Sequence, residues 1–520
     1  MDMKLGDITA SQVVIGFAGV WLLYNILQML YNISPLHPLH KIPGPKLAAA
    51  SYLPEFYHDV VLGGRYTHAI QRMHEKYGPI VRINPGETHC NDVAFSDEIY
   101  AVGGRKRDKP LHQINGGATT SNAFGTVDHD LHRARRGPVA KFFSHNMIAR
   151  LEGDIHKLCH HLCDKLLARS GTKEVIDIAM AYSCFTSDTI FGYSFGESQG
   201  FLDQESWYPN YRMALLAVLK PVFWFRFFPI LNAAQDLGVY IVDILPADMA
   251  LLIRSLKIMI PSLVTKAKSG LESGIRPERP TIFHTILESD GSSLQPKTMT
   301  WMSEEAAAVV GAGTETTSWA LAVITFNLLD KPEQLAKLRA ELSEVVKDPN
   351  ELPAWTVLEK LPYLGGVIQE GLRLSYGVSG RTARVPTGED LVYRGEFNKK
   401  PVELVLPRGY AIGMSAAITH HDESFFPDSH AFLPERWIDE DGKRRKELER
   451  AMLAFSKGNR ACLGMNLALC ELHLSLTALA LRVIPRMALY ETSLRDVAYD
   501  HDMFIPRPVA ESKGVRVVIN

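Results

Sequence analysis

Apolar residues recur at helical spacing through most of this chain, whereas strand-like alternation is rare. The helical period is clearest in five stretches, 147–168, 302–330, 333–346, 362–375 and 463–482. Strand-like pieces occur at Ile80–Asn84, at Val402–Leu406 and near Val515–Ile519. The pattern predicts a mainly α fold with small β-sheets.

One apolar stretch near the N-terminus has no charge at all. Residues 13–31 are just long enough to cross a bilayer, which takes about 20 residues. A cleaved signal peptide is the alternative, but its apolar region is only about 7–15 residues long. We therefore expect an N-terminal tail over 1–12 and an uncleaved transmembrane anchor over 13–31. Lys41 and Lys46 follow the anchor, and this slight positive bias places the rest of the chain in the cytosol.

The anchor is followed by a proline-rich segment, residues 32–45. Proline fixes φ and prevents helix continuation, so this segment is predicted to be a stiff, extended hinge. A chain of 520 residues could hold about three or four domains. Because no composition break or long repeat follows, we expect a single catalytic domain over 46–520.

Composition narrows the class of protein. Hydrophobic residues make up 46 % and charged residues 22 %, which excludes a disordered chain. The 56 basic and 58 acidic residues give a net charge of −2, which argues against nucleic-acid binding. Six cysteines are too few for a disulfide-built secreted module and favour a reducing compartment.

The decisive segment is FSKGNRACLG, residues 455–464, which precedes an apolar, helix-forming run. Cys462 would lie just before a helix N-terminus, where the thiolate is favoured. Gly458 and Gly464 permit close approach to a flat ligand, and Arg460 can pair with a carboxylate on it. A thiolate of this kind can be the proximal ligand of haem iron, although an isolated cysteine is usually a small core hydrophobe.

This segment matches the pattern F-x-x-G-x-R-x-C-x-G at every fixed position and resembles the haem-binding signature of cytochrome P450 enzymes. The resemblance extends from the proline-rich segment to the C-terminus. It implies the cytochrome P450 fold behind a single N-terminal transmembrane helix. It also implies haem b with its iron held by Cys462, and monooxygenase activity.

A second motif, AGTETT at 312–317, lies within a predicted helix. Gly311 and Gly313 each cost about 1 kcal/mol in a helix interior, and a local bend above the iron would explain them. The motif resembles the family's oxygen-activation motif, which makes Glu315 and Thr316 the catalytic pair that guides protons. The alternative is an exposed glutamate and a threonine that bonds its own backbone.

The resemblance also assigns residues around the haem. Glu370 and Arg373 would form a buried structural triad with Arg436. The propionate ligands would be His132 and Arg136, in HRARR, together with Arg460 and Arg384. Arg381 is the alternative to Arg384, and Arg133 and Arg135 are expected to be solvated. The predicted substrate contacts lie in Lys109–Val127, Ala306–Val310, Tyr376–Ser379 and around Met503–Phe504.

Two clusters of metal-binding residue types are interpreted as structural. His156, Cys159, His160 and Cys163 share one helix side, but four ligands from one straight helix cannot surround a single ion. His420 and His421 are expected to be satisfied loop histidines. The aromatic segment 221–231 is ambiguous, because it fits either membrane contact or a buried helix, and we favour membrane contact.

The resemblance predicts a membrane-anchored haem-thiolate monooxygenase of the endoplasmic reticulum membrane, with its catalytic domain facing the cytosol. Only about 55 residues follow Gly464, too few for a flavin or dinucleotide domain, so electrons would come from a separate NADPH-dependent flavoprotein reductase. The segments SPLHPLHKIPGPKLAAASYLPEFYHDV and MHEKYGPIVRINP resemble the trichodiene-oxygenase-like group of fungal enzymes.

That group implies an apolar secondary metabolite as substrate, with a terpenoid favoured over a polyketide or an alkaloid, and membrane lipid as a further partner. Two other classes stay open. One is a haem-thiolate isomerase or dehydratase that needs no dioxygen, and the other is a non-enzymatic haem sensor.

Overall fold

The computed structural model describes residues 9–115, 121–274, 281–289 and 296–520, without the side chains of residues 10 and 233–239. These ranges contain twenty α-helices. In chain order they are α1 Ala10–Ile33, α2 Lys46–Ala50, α3 Leu53–Phe56, α4 Tyr66–Tyr77, α5 Ser96–Ile99, α6 Leu111–Ile114, α7 His129–Ala140, α8 His145–Leu167, α9 Ile178–Phe195, α10 Tyr211–Leu219, α11 Val222–Phe227, α12 Ala247–Arg254, α13 Ile260–Glu272, α14 Ile282–Glu288, α15 Met299–Asp330, α16 Pro332–Val345, α17 Trp355–Leu358, α18 Pro362–Ser375, α19 Ala416–Thr419 and α20 Met465–Arg482.

The strands are short and form five small sheets within the described ranges. They are β1 Ile80–Asn84, β2 Glu87–Cys90, β3 Arg107–Asp108, β4 Ile176–Asp177, β5 Val385–Pro386, β6 Leu391–Phe397, β7 Lys400–Leu406, β8 Ala411–Gly413, β9 Met487–Leu489, β10 His501–Met503, β11 Ile505–Arg507 and β12 Arg516–Ile519. The sheet orders are β1-β2-β8, β4-β12-β9, β3-β5, β6-β7 and β10-β11. Only β8 pairs in parallel, with β2.

The predicted mainly α fold with small β-sheets is confirmed. The five stretches of helical period correspond to α8, α15, α16, α18 and α20, and the three strand-like pieces correspond to β1, β7 and β12. The largest apolar core is built around α8, α9, α15, α18 and α20. α15 and α20 are apolar on nearly all sides because they are buried within this core.

The apolar N-terminal helix is present as α1, whose side chains are largely exposed. By length and composition, three described helices could cross a membrane, Ser11–Ile33, Met299–Asp330 and Met465–Arg486. The last two are 67 % and 78 % buried in the protein, whereas Ser11–Ile33 is unburied. This contrast identifies α1 as the candidate membrane anchor. Residues 1–8 of the predicted tail lie outside the described residues.

The segment after α1 is not the extended spacer that its prolines predict. Residues 34–42 fold into consecutive turns, and Leu39 and Ile42 are buried in a second apolar core. Arg82, on β1, donates to the Asn32 carbonyl oxygen at 2.8 Å and contacts His37 Nε2 at 3.3 Å. A buried guanidinium therefore ties the end of α1 to the catalytic domain.

Glu370 is the centre of a buried polar junction. Its carboxylate accepts hydrogen bonds from Arg373 at 2.8 and 2.9 Å, from Arg436 Nε at 3.0 Å and from Trp437 Nε1 at 2.9 Å. The Leu433 N–H adds a fifth donor at 2.9 Å. The expected triad of Glu370, Arg373 and Arg436 is thus present, and it joins α18 to the loop that leads toward Cys462.

We expect Glu370→Gln to lower the free energy of unfolding by about 3–5 kcal/mol, because it leaves a buried guanidinium without its counter-ion. The matched control is Glu403→Gln, which breaks an exposed pair with Arg394 and should cost no more than about 1 kcal/mol. Thermal and urea unfolding of both variants would measure the difference. Equal stability of the two variants would contradict a structural role for Glu370.

Candidate functional site

The segment around Cys462 is a tight turn that leads into α20. The Cys462 N–H donates to the Phe455 carbonyl oxygen at 2.7 Å. Gly458 has a φ of +70°, and a Cβ there would lie 2.1 Å from the Tyr100 carbonyl oxygen. Gly458 is therefore required by the turn and by a neighbouring backbone, not by approach to a ligand as its sequence position suggested.

Cys462 differs from the other five cysteines, because they are buried and its side chain is exposed. Protein atoms nevertheless crowd the thiol, so burial raises its pKa, while a hydrogen bond from the Gly464 backbone and the nearby Arg136 lower the pKa. A side chain that is both crowded and reached by solvent faces a cleft inside the protein. Cys462 is thus the cysteine available to a ligand.

Four of the predicted haem-binding residues are brought together with one that was not predicted. Burial and the neighbouring Arg460, Arg136 and Lys109 lower the pKa of His132 to about 2. Burial and then Arg384 likewise lower the pKa of Arg460 to about 10. Lys109 is buried, and desolvation together with Arg384 and Arg460 holds its pKa well below the usual value. These five residues, His132, Arg136, Arg384, Arg460 and Lys109, are named here the cation cluster after its three arginines, since the lowered pKa leaves His132 neutral at pH 7.

Carboxylates lie near the cation cluster but are not paired with it in the described residues: Asp108 and Asp128 act to raise the pKa of Arg460, and Glu305 acts to raise the pKa of Arg136. Arg460 donates to the carbonyl oxygens of Thr126 at 2.6 Å and Val127 at 2.7 Å, and Lys109 donates to that of Phe124 at 2.6 Å. Arg384 donates to backbone carbonyls and to the Ser456 hydroxyl. Among the described residues, none of the cation cluster forms an ion pair.

Buried cations without counter-ions are costly unless an anion is bound beside them. A group with two carboxylates next to an exposed cysteine would remove that cost, and haem b carries two propionates. The residues of this cleft therefore fit haem, with Cys462 as the thiolate and the cation cluster as the propionate site.

Arg381 and Arg135 have bonding partners that place them outside the cation cluster. Arg381 is buried with Glu55, Asp59 and Glu87 and is not part of the cation cluster, which leaves Arg384 there. The prediction that Arg135 is solvated is wrong. It donates to the Thr126 hydroxyl at 2.8 Å and so helps hold the loop before α7.

The acid–threonine pair lies on α15 but in two different environments. Ala312 and Thr316 are exposed one turn apart, although most of the surrounding helix is buried. The Thr316 hydroxyl donates to the Ala312 carbonyl oxygen at 2.9 Å, as the alternative reading of this motif predicted. Glu315 is buried, not exposed as that alternative required.

Glu315 is paired with an arginine that sequence reasoning did not single out. Arg212 Nη1 lies 2.6 Å from Glu315 Oε1 and 2.5 Å from Oε2. Burial raises the pKa of Glu315, while Arg212 and then Arg507 lower it. Because both carboxylate oxygens contact Arg212, Glu315 can exchange a proton only after this pair opens.

The glycines of α15 serve packing. The helix runs uninterrupted from Met299 to Asp330, and a Cβ on Gly313 would lie 2.8 Å from Ile190 on α9. A close approach of α9 thus accounts for Gly313 without the predicted bend. A Cβ on Gly311 would lie 3.7 Å from Cδ2 of Leu215 on α10.

The histidine and cysteine clusters are structural, as predicted. Cys159 and Cys163 are buried in the main core. His420 accepts a hydrogen bond from the Leu453 N–H at 2.8 Å, and its Nδ1 pairs with the Arg373 carbonyl oxygen at 2.8 Å. No group of three potential metal ligands occurs in the part of the chain that the structure describes.

Two predicted substrate segments meet. The rings of Phe124 and Phe504 form an edge-to-face contact with a centroid distance of 5.7 Å, and Phe504 has a φ of +72°. Lys109 belongs to the cation cluster, and residues 116–120 of the same predicted segment lie outside the described residues. Tyr376 is buried and its hydroxyl contacts His421, so it belongs to the core.

Comparison with known proteins identifies the family. The cytochrome P450 family model matches residues 49–482. Cytochrome P450 monooxygenase ppzE of Metarhizium majus is 41 % identical over 83 % of this chain and 92 % of its own length. Cytochrome P450 monooxygenase MO6277 of Ascocoryne sarcoides is 38 % identical over 96 % and 97 %.

Cytochrome P450 monooxygenase TRI4 of Trichoderma arundinaceum is 34 % identical over 97 % of this chain and 95 % of its own length. The crystal structure of a cytochrome P450, CYP102L1, has the same fold, with a TM-score of 0.66 at 17 % identity over 86 % of this chain and 93 % of that one. The matched length, the shared fold and the cysteine cleft show that this chain belongs to the cytochrome P450 family of haem-thiolate monooxygenases.

Proposed function

We propose that this enzyme inserts one oxygen atom from dioxygen into an apolar secondary metabolite, with a terpenoid favoured, as a tailoring step of a biosynthetic pathway. Its electrons come from a separate NADPH-dependent flavoprotein reductase, and it works at the endoplasmic reticulum membrane with the catalytic domain in the cytosol. The observation that carries the proposal is the exposed Cys462 beside Arg136, next to Arg384 and Arg460, which form no ion pair among the described residues.

In this proposal the thiolate of Cys462 would hold the haem iron, and His132, Arg136, Arg384, Arg460 and Lys109 would hold the propionates. The bound haem supplies the activation of dioxygen. The chain supplies the thiolate, holds the cofactor in one orientation and excludes bulk water. Neutral His132 can donate one ring N–H, whereas the arginines donate charge-assisted hydrogen bonds, which are stronger.

Proton movement is assigned to the Thr316 hydroxyl and the Glu315 carboxyl. Thr316 is exposed on α15, and its hydroxyl donates to the Ala312 carbonyl oxygen. Glu315 takes part when its ion pair with Arg212 opens, so Arg212 is a positioning residue. This arrangement keeps the carboxyl beside the cleft without leaving a free charge there.

The preference for an apolar substrate is supported by the cleft and by the relatives. The exposed residues of α15 at the cleft are Ala312 and Thr316, and aromatic Phe124 and Phe504 adjoin the cation cluster. The terpenoid preference rests on similarity to the TRI4 protein and the trichodiene-oxygenase-like group.

The first test is Cys462→Ala, read by the absorption spectrum of the reduced, carbon-monoxide-bound protein. We expect a strongly red-shifted Soret band in the natural protein and its complete loss in the variant, because thiolate ligation sets this band. Cys470→Ala, on α20 eight residues after Cys462 and buried in the core, is the matched control and should keep the band. A band that survives Cys462→Ala would refute the ligand assignment.

The second test is Thr316→Val with NADPH and reductase, using a compound that shifts the spin state. We expect product formation to fall roughly a hundredfold, the size of a general acid–base contribution, with more NADPH oxidation ending as hydrogen peroxide. Thr325→Val, on the same helix but bonded to Tyr182 in the core, should leave this partition unchanged. If the same share of NADPH oxidation ended as hydrogen peroxide in both variants, Thr316 would not belong to the proton path.

Membrane contact is proposed for the aromatic segment 221–231 in addition to α1. Val222 and Phe223 are buried, whereas Trp224, Phe228 and Ile230 are exposed, with Ile230 83 % exposed. One face of the segment thus packs on the protein and the other is available to lipid.

A polarity-sensitive fluorophore on Ile230→Cys would test this contact in the full chain reconstituted in lipid nanodiscs. We expect the emission to be blue-shifted relative to that of the free fluorophore in water, because the probe on the protein enters the headgroup and acyl region. Leu494→Cys, at a position that is 59 % exposed, is the matched control and should report water. Water-like emission at both positions would contradict the proposed contact.

A further inference from the structure

Residues 121–127, which lead into α7, are named here the framing loop, because their carbonyl oxygens hold two members of the cation cluster. Lys109 Nζ donates to the Phe124 carbonyl oxygen at 2.6 Å and lies 3.5 Å from the centre of the Phe124 ring. Arg460 donates to two further carbonyl oxygens of this loop, at 2.6 and 2.7 Å, and to one on β3 at 3.1 Å. The donors of Lys109 and Arg460 therefore stand where the framing loop places them.

The N–H groups of the same loop are held by two consecutive glutamates of α15. The Ala123 N–H donates to Glu305 Oε2 at 2.6 Å, and the Ser121 N–H donates to Glu304 Oε2 at 3.0 Å. Glu305 is 3 % exposed, whereas Glu304 is half-buried. A hydrogen bond to a carboxylate is stronger than one to a neutral acceptor, and burial protects it from competing water. Glu305 is therefore the firmer of these two attachments.

The position of Glu305 on α15 explains why an acid is buried there. Ala312 and Thr316 follow it by seven and eleven residues, so the three residues share one face of the helix. Ala312 and Thr316 are exposed, whereas Glu305, about 10 Å from Ala312 along the helix axis, is covered at the framing loop. A buried carboxyl is costly unless it accepts hydrogen bonds, and the loop supplies one.

Glu305 also lies among cations. Burial raises its pKa to about 7, while the Ala123 N–H and then Arg135 and Arg136 lower it. Arg136 in turn lowers the pKa of the Cys462 thiol. A carboxyl at this place can act by its hydrogen bond to the loop or by its charge beside Arg136. The first role needs an acceptor at the right distance, whereas the second needs a negative charge.

We propose that Glu305 is a positioning residue for the haem, because its hydrogen bond to the Ala123 N–H fixes the framing loop and thereby the propionate donors of Arg460 and Lys109. This inference rests on the proposed function, in which the cation cluster holds the propionates. Donors that are fixed before binding lower the cost of binding. Loss of the Glu305 bond lets the loop shift but does not touch Cys462, so haem is released faster while its thiolate ligation persists.

The test uses the full-length, haem-loaded protein in lipid nanodiscs, mixed with excess apomyoglobin, which captures released haem and changes the Soret band. We expect Glu305→Ala to raise the rate constant of haem release by about tenfold, because one hydrogen bond to a charged group is lost. The reduced, carbon-monoxide-bound variant should keep its red-shifted band.

Two conservative variants separate the acceptor from the charge. Glu305→Gln keeps an acceptor of the same length and should release haem within about threefold of the natural rate, since a neutral bond is weaker but still formed. Glu305→Asp keeps the charge but is one methylene shorter, so it should accelerate release almost as much as Glu305→Ala.

The matched control is Glu341→Ala on α16. The Glu341 carboxylate accepts from the backbone N–H groups of Tyr363 and Leu364, both at 2.8 Å, and so joins α16 to α18 and not to the framing loop. Its substitution should leave haem release unchanged. In a Lys109→Met background Glu305→Ala should accelerate release less than it does alone, because the loop then holds one donor fewer.

Equal haem release from Glu305→Ala and Glu341→Ala would overturn this inference and leave the proposed function intact, since the natural protein would still show the thiolate band. Acceleration by Glu305→Gln without acceleration by Glu305→Asp would also overturn it, because the effect would then belong to the charge beside Arg136. If Glu305→Ala does not fold, the order of these two variants decides in the same way. Absence of the thiolate band in the natural protein would instead refute the proposed function itself.

Discussion

The carboxylate of Glu370 is the interaction on which the rest of this structure depends. It gathers two arginines, an indole N–H and a backbone N–H into one buried junction, while Arg373 donates onward to the carbonyl oxygens of His420, Ser429 and Ala431. The irregular chain between α19 and α20 has no sheet or long helix of its own to position it. The junction substitutes for such elements, and it fixes the direction from which the chain approaches Cys462.

A second constraint follows from charge. A fold normally pairs its buried cations, as Arg373 and Arg381 are paired here, whereas within the described ranges Lys109, Arg384 and Arg460 are bonded to backbone carbonyls and a hydroxyl. Carbonyl dipoles compensate a guanidinium only in part. The protein is thus built to be completed by an anionic cofactor, and the haem should contribute to its folding free energy as well as to its chemistry.

Sequence reasoning succeeded where the signal is local. Cys462 lies just before α20, as its position ahead of a helix-forming run predicts, and the i,i+3 spacing places Glu370 and Arg373 on one helix face. The burial of that pair with Arg436 was implied by the family resemblance and not by spacing. It failed where the partner is distant in sequence. Arg212 and Glu315 are 103 residues apart, and Arg226 and Glu55 are 171 apart. Nothing in a single sequence marks such partners, except that a lone arginine in an aromatic segment requires an acid.

The long helix α15 has two compatible tasks. Its C-terminal half must stay buried in the core, while Ala312 and Thr316 must face a cleft that ligands enter. Gly313 brings α9 close behind the helix, and Arg212 neutralises Glu315 on the side where α10 crosses it. The carboxyl can therefore stay beside the cleft in the resting structure without destabilising the core.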